Sequence, residues 1–161
     1  MGSFAGLRLK HGYHNILLGA DAGWFLENAH DNIVIGTVGL GNNVTANNVI
    51  ALGERVMGNS EGGNHVFAAG HLALNYNQGD HNIAVGNMAA YQNRTGTDNF
   101  VAGNQASQLN QTGSNIIAIG RLALNKATNA SNNIAFGYIS QFENLTGQHN
   151  VSAGNSALKN I

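Results

Sequence analysis

The sequence predicts an all-β fold: a parallel β-solenoid, or β-roll, of about nine 17-residue coils. Three observations predict it. Nine glycines form a ladder: Gly19, Gly36, Gly53, Gly70, Gly86, Gly103, Gly120, Gly137 and Gly154. Seven of the eight spacings are 17, and Gly70 to Gly86 is 16. The positions three and one before each glycine are apolar in all nine units, from Ile16 and Leu18 to Val151 and Ala153. The chain also holds 22 Gly and 26 Asn among 161 residues, with no Pro. Self-similarity at a fixed period marks a stacked architecture.

Each unit opens with a short apolar run rich in β-branched residues and bounded by Asn and Gly, which reads as a strand. Recurrent Gly and Asn leave no room for a helix to grow. The ladder glycine follows, where the coil bends sharply or packs on another backbone. Three residues later stands a small residue, Ala in six of nine units. A weaker second strand is expected around it, as at residues 121–124. A polar turn then closes the unit. Three turns read Asn-x-Thr-Gly, at 93–96, 110–113 and 144–147, and suit positive φ and side-chain bonds to nearby backbone. Their Asn residues are expected to face water.

The strand pattern carries a second message. Residues three and one before the glycine share a face, and the residue between them points the other way. That middle residue is small or apolar in every unit, so both faces look buried. A strand half exposed to water alternates apolar with polar. Another copy of the chain is the natural cover, and closed symmetric assemblies are the usual outcome. A thicker monomer covered by its own turns is the alternative.

Two regions are expected, 1–13 and 14–161. The first is basic and apolar, with Phe4, Leu7, Arg8, Leu9 and Lys10, and is not expected to form a coil in register. It is read as a docking arm onto a larger assembly or as a cap on the first coil's open edge. Ile161 lies seven residues after Gly154, so the last coil is expected to be incomplete.

Composition narrows the function classes. Only 9% of residues are charged, against about 25% in typical domains, and the net charge is -1. That argues against a nucleic-acid partner held by phosphate neutralisation. Without Cys there is no disulfide framework, thiolate metal site or cysteine nucleophile. No apolar run reaches 18 residues, so no membrane span is expected.

The strings NIVIG at 32–36, NVIALG at 48–53, NIAVG at 82–86 and NIIAIGRLA at 115–123 resemble the head repeats of trimeric autotransporter adhesins. The string at 116–125, with Asn-x-Thr-Gly turns between units, is also similar to repeats in bacteriophage tail fibres and related virion proteins. The resemblance implies a left-handed parallel roll in an intimate homotrimer. The adhesin repeats are usually shorter and less regular, and no signal peptide, stalk heptads or membrane anchor is read here. The expectation is therefore a virion part made in a host cytoplasm, with a bacterial cell surface as the alternative.

His14, His65, His81 and His149 stand five before the ladder glycine, where other units carry Asp or Asn. They read as turn residues rather than metal ligands. The eight carboxylates are scattered along the chain and no G-x-S-x-G occurs, so no catalytic residue, cofactor or metal is assigned. A polysaccharide depolymerase is disfavoured on that ground. Gly39 and Gly41 read as bends. Trp24, Tyr91 and Phe142, five after the ladder glycine, are candidate surface contacts for a host glycan or protein.

The expected function is a non-enzymatic structural virion protein: a trimeric tail-fibre or spike module that touches the host. A capsid decoration (cement) protein, docked on other virion proteins by its N-terminal arm, is the runner-up. The head fragment of a trimeric bacterial adhesin is the third reading. On this view Gly86→Val should be severe and Asn93→Ser, in a solvent-facing turn, mild.

Overall fold

The structure, a computed structural model, describes residues 2–43 and 45–160. Met1 and Ile161, the outer bounds of the two expected regions, lie outside the described residues. The fold is an all-β parallel solenoid. Its strands are β1 (Ile16–Leu18), β2 (Ile33–Ile35), β3 (Ile50–Leu52), β4 (Phe67–Ala69), β5 (Ile83–Val85), β6 (Phe100–Ala102), β7 (Ile117–Ile119), β8 (Ile134–Phe136) and β9 (Val151–Ala153). They form one sheet in chain order, and every neighbouring pair is parallel. Each strand pairs with its own repeat position one coil on, as in Ile33 with Ile50 and Ile35 with Leu52. Strands about 4.8 Å apart make the nine-strand sheet roughly 40 Å long.

The short unit keeps this register. Phe67 still pairs with Ile83 across the 16-residue coil. The missing residue falls in the polar turn. There the Asn77 amide reaches Gly79 two residues on, whereas Asn93 reaches Gly96 three residues on. A turn absorbs a deletion that a strand cannot, because a one-residue slip would swap the sheet's two faces.

The expected second strand is not formed. Residues 121–124 are turn, with φ of 59° at Leu122 and 53° at Leu124. The same two positions, two and four after the ladder glycine, have positive φ in coil after coil, for example Met88 and Ala90. The alternation turns successive N–H groups to opposite neighbours. Leu122 donates to Asn104 in the preceding coil, and Leu124 donates to Ser140 in the following one. Inter-coil bonding thus continues round the bend without extended backbone. The sequence pattern could not separate these states, since small and apolar residues suit both.

The N-terminal segment also departs from expectation. Gly2 lies 17 residues before Gly19, and residues 2–12 stack on the first complete coil in register. Gly6 donates to Ala22, Arg8 to Trp24 and Lys10 to Glu27. The expectation that this stretch falls out of register is corrected. Gly2, Ala5, Gly6 and Leu9 repeat Gly19, Ala22, Gly23 and Leu26, and that match was legible.

Why the ladder position is glycine follows from two facts at Gly86. Its φ is +132°, a region that L side chains rarely adopt. A Cβ there would also lie 2.6 Å from the Gly103 carbonyl oxygen one coil on. Both conflicts come from backbone, so neither relaxes by a rotamer change.

The interior is narrow and matched in size. The middle strand residues Val34, Ala51, Ala68, Ala84, Val101, Ala118 and Ala135 are all buried. Facing them are the small residues three after the glycine, such as Ala73, Ala89 and Ala123. Where the strand carries Val34, its partner is Gly39, whose Cβ would sit 2.6 Å from Val34 Cγ1. Where the strand carries Ala51, the partner is Val56. In these two layers the valine stands on one wall and a small residue on the other, as close packing in a narrow interior favours.

Buried asparagine is the larger surprise. Asn32, Asn82 and Asn133 are fully buried, as are the turn residues Asn43, Asn77 and Asn144. The expectation that turn Asn faces water is corrected for these positions. Asn residues four before the ladder glycine act as staples. The Asn82 side-chain NH₂ donates to the Gly96 carbonyl at 2.8 Å, and its Oδ1 accepts the Asn99 N–H at 3.1 Å. Asn99 repeats this with Gly113 and Ile116. Asn15, Asn32 and Asn133 do the same in their coils. One amide supplies both a donor and an acceptor, so it satisfies two backbone groups of the neighbouring coil.

Three substitutions test this account by urea unfolding midpoints. Gly86→Val should cost more than about 3 kcal/mol, through backbone strain and overpacking. Asn82→Ala should cost about 2–4 kcal/mol by orphaning two buried backbone groups. Asn93→Ser, expected to be mild in a solvent-facing turn, should cost more than a surface change. Asn93 is buried and donates to Asn77 Oδ1 and to the Gly96 carbonyl, so about 1–2 kcal/mol is expected.

Candidate functional site

Two surfaces are candidates, and strand geometry produces the first. Residues three and one before each ladder glycine point away from the coil interior. Ile16 is 50% exposed, Phe136 55% and Val151 70%. Ile35, Ile50, Ile83, Val85, Phe100, Ile117 and Ile134 are exposed as well. Among the described residues, nothing in the chain covers this apolar strip. In two strands a large residue in one column stands beside a small one in the other. Phe67 shares its strand with Ala69, and Phe100 shares its strand with Ala102. Sequence reading identified this face as apolar; only the structure tells which strand face the coil itself buries.

The second surface lies past the ladder glycine, in the column that holds Trp24, Tyr91 and Phe142. All three are half-buried. Trp24 packs on Phe4 and Phe25, with ring centroids 5.1 and 6.3 Å away. Tyr91 meets Tyr76 edge-on at 5.3 Å. Lys126 Nζ sits 4.9 Å from the Phe142 ring centre and bonds Glu143 at 2.8 Å. That bond and the lysine charge hold the Glu143 carboxyl below its ordinary range.

Between Trp24 and Tyr91 the same column reads Gly41, Gly58, Asn75. The side chains shrink there, and a cleft of about 350 Å³ opens. Tyr76, Tyr91 and Arg55 line it. Val38 and Leu72 supply apolar wall. Asn59 donates to Asn75 Oδ1 at 2.7 Å, and Asn75 donates to the Arg55 carbonyl at 2.8 Å, so the amide floor is fixed. Burial first, then the Tyr76 hydroxyl, pushes the Tyr91 phenol above its ordinary value. The cleft was not foreseen; two consecutive glycines in an otherwise bulky column were its signal.

The residues five before the ladder glycine have a conformational cause. All nine have positive φ, from 55° at His14 and His65 to 59° at His149. Asn, Asp and His are the types enriched in that region, which accounts for the column's composition. His65 and His81 stack at 5.1 Å. Asp31 accepts from His14 at 3.0 Å and His30 at 2.9 Å, and these bonds lower its pKa. Among the described residues no three His, Asp or Glu side chains converge as a metal site would need.

In the N-terminal segment, Leu9 packs against the core and Arg8 lies over the Phe25 ring at 4.5 Å. Lys10 pairs with Glu27 at 3.5 Å. Phe4 and Leu7 stay exposed. No described helix is long and apolar enough to cross a membrane.

The chain matches no protein family, no curated protein and no solved structure. The likeness to adhesin and fibre repeats therefore rests on the quoted strings alone.

Acid should release the Asp31 contacts. A carboxylate with a lowered folded pKa stabilises above its unfolded value, about 3.9, and loses that contribution as pH falls through the folded value. The melting-temperature gap between wild type and Asp31→Asn should be larger at pH 6 than at pH 3.

Proposed function

We propose that the chain is a non-enzymatic structural protein of a virion. Three copies associate side by side through the apolar strip, and the rod serves as a tail-fibre or spike module that contacts a host surface. The uncovered strip carries this reading. A contiguous apolar patch of this length on a polypeptide that folds in water marks a contact surface.

The occupant is a second copy of the same chain, and the size compensation says how it sits. Two coils set a large outward residue beside a small one, Phe67 with Ala69 and Phe100 with Ala102. That balance fills a layer when copies stand parallel and in register, so that one layer holds the same coil from each chain. An antiparallel or shifted neighbour would set Phe against the wrong layer. In a ring, the column three before the glycine meets the column one before it on the next chain, a closed heterologous contact. The resemblance to trimeric adhesin heads and phage fibres supports three copies and a virion or surface setting.

The runner-up, a capsid decoration protein, draws on Phe4 and Leu7, exposed where a docking contact would need them. Antibody labelling of purified particles separates the two, on the tail or on the shell.

Sedimentation equilibrium tests the assembly. The expected mass is three times the 16.8 kDa subunit. The double variant Ile83→Glu/Ile117→Glu, on the outward face, should stay folded by circular dichroism and sediment as a monomer. A wild-type monomer would sink the assembly.

A further inference from the structure

The cleft beside Tyr91 has no lining residue in the apolar strand strip. Its column holds bulky or long side chains at most other levels, including Trp24, Tyr91, Gln108 and Phe142, and two glycines in succession at Gly41 and Gly58. A Cβ on Gly58 would lie 3.2 Å from Arg55 O and 3.3 Å from Val38 O, so coil stacking also keeps that floor low. The result is a cavity of about 350 Å³, at the small end of ligand sites.

The lining has a consistent chemistry. Tyr76 and Tyr91 supply aromatic surface. A flat aromatic face can take the C–H side of a sugar ring, and the phenol hydroxyl adds a polar handle. Asn59 and Asn75 are amides locked by their own bonds, the kind of polar group that orients a polyol. Arg55 is the charged lining residue. Its Nε is 3.9 Å from Glu54 Oε1, a loose exposed contact, and its guanidinium donates no hydrogen bond among the described residues. A second guanidinium, from Arg94, lies 5.7 Å from the Tyr76 ring centre. A planar fork with free donors matches a carboxylate in bidentate fashion.

We propose that this cleft binds an acidic sugar residue of a surface glycan, its carboxylate on Arg55 and its ring against Tyr76 and Tyr91. The source of the ligand rests on the host-contact reading above; the site itself rests on the cleft's own residues. One cleft per chain makes three on a trimer, so weak single contacts would add as avidity.

Saturation-transfer NMR with the full-length protein tests this. The probes are 3′-sialyllactose and a glucuronate-containing disaccharide, with lactose as the neutral control. At least one acidic probe should bind and lactose should not. Arg55→Gln and Tyr91→Ala should each weaken binding at least about tenfold. Arg55 is solvent-exposed, so Arg55→Gln keeps the fold even if Tyr91→Ala disturbs it; an unchanged circular dichroism spectrum verifies this. Equal binding of lactose, binding that survives Arg55→Gln, or no binding of either acidic probe at millimolar concentration would overturn the proposal. Sedimentation run alongside separates the two readings. A trimer that binds no sugar removes the cleft site only, and a monomer that binds acidic sugar removes the trimer only.

Discussion

Everything in this structure depends on the close backbone approach between successive coils. Parallel strands about 4.8 Å apart set the rise, and inter-coil N–H to carbonyl bonds continue from the strands through the bend. Once the rise is set, each position in the repeat becomes a column, and a conflict at one level recurs at every level. The ladder glycine is the extreme case. Both its positive φ and the carbonyl one coil on exclude a side chain. The same constraint explains the absent proline, since most coil positions have a use for the backbone N–H.

Stacking also determines how polar groups enter the interior. A short coil turns several times within 17 residues, and turns leave backbone groups pointing inward. Leaving them unpaired would cost about 1–3 kcal/mol each. Asn is the economical answer: one side chain donates to a carbonyl and accepts from an N–H of the next coil, as Asn82 and Asn99 do. The low charge then follows. Neutral amides do inside this protein what water does around an ordinary turn, and ionic groups are left to the rim, as in the Lys126–Glu143 pair.

Column logic links the fold to its surfaces. Inward, Val34 opposes Gly39 and Ala51 stands with Val56, so a valine on one wall meets a small residue on the other. Outward, Phe67 stands with Ala69, the same kind of balance on a face the chain leaves bare. That bare apolar face is what the proposed assembly would bury. The cleft near Arg55 is the reverse case, a place where Gly58 leaves the column thin.

By itself the sequence determined the repeat length, the strand positions, the glycine ladder and the apolar outward face. These are periodic, and a period survives without knowledge of what touches what. Gly2, Ala5 and Leu9 also carried the period, though their basic neighbours Arg8 and Lys10 disguised it. Tertiary structure alone decided which strand face the coil keeps, because small residues at Ala68 or Ala84 fit either side until the opposing wall is known. It decided that residues 121–124 bend rather than extend, because φ signs are not written in Leu and Ala. It sent Asn82 and Asn93 inward, because an amide's place depends on which backbone groups lack partners. It also opened the cleft, which exists only where residues from four successive coils meet.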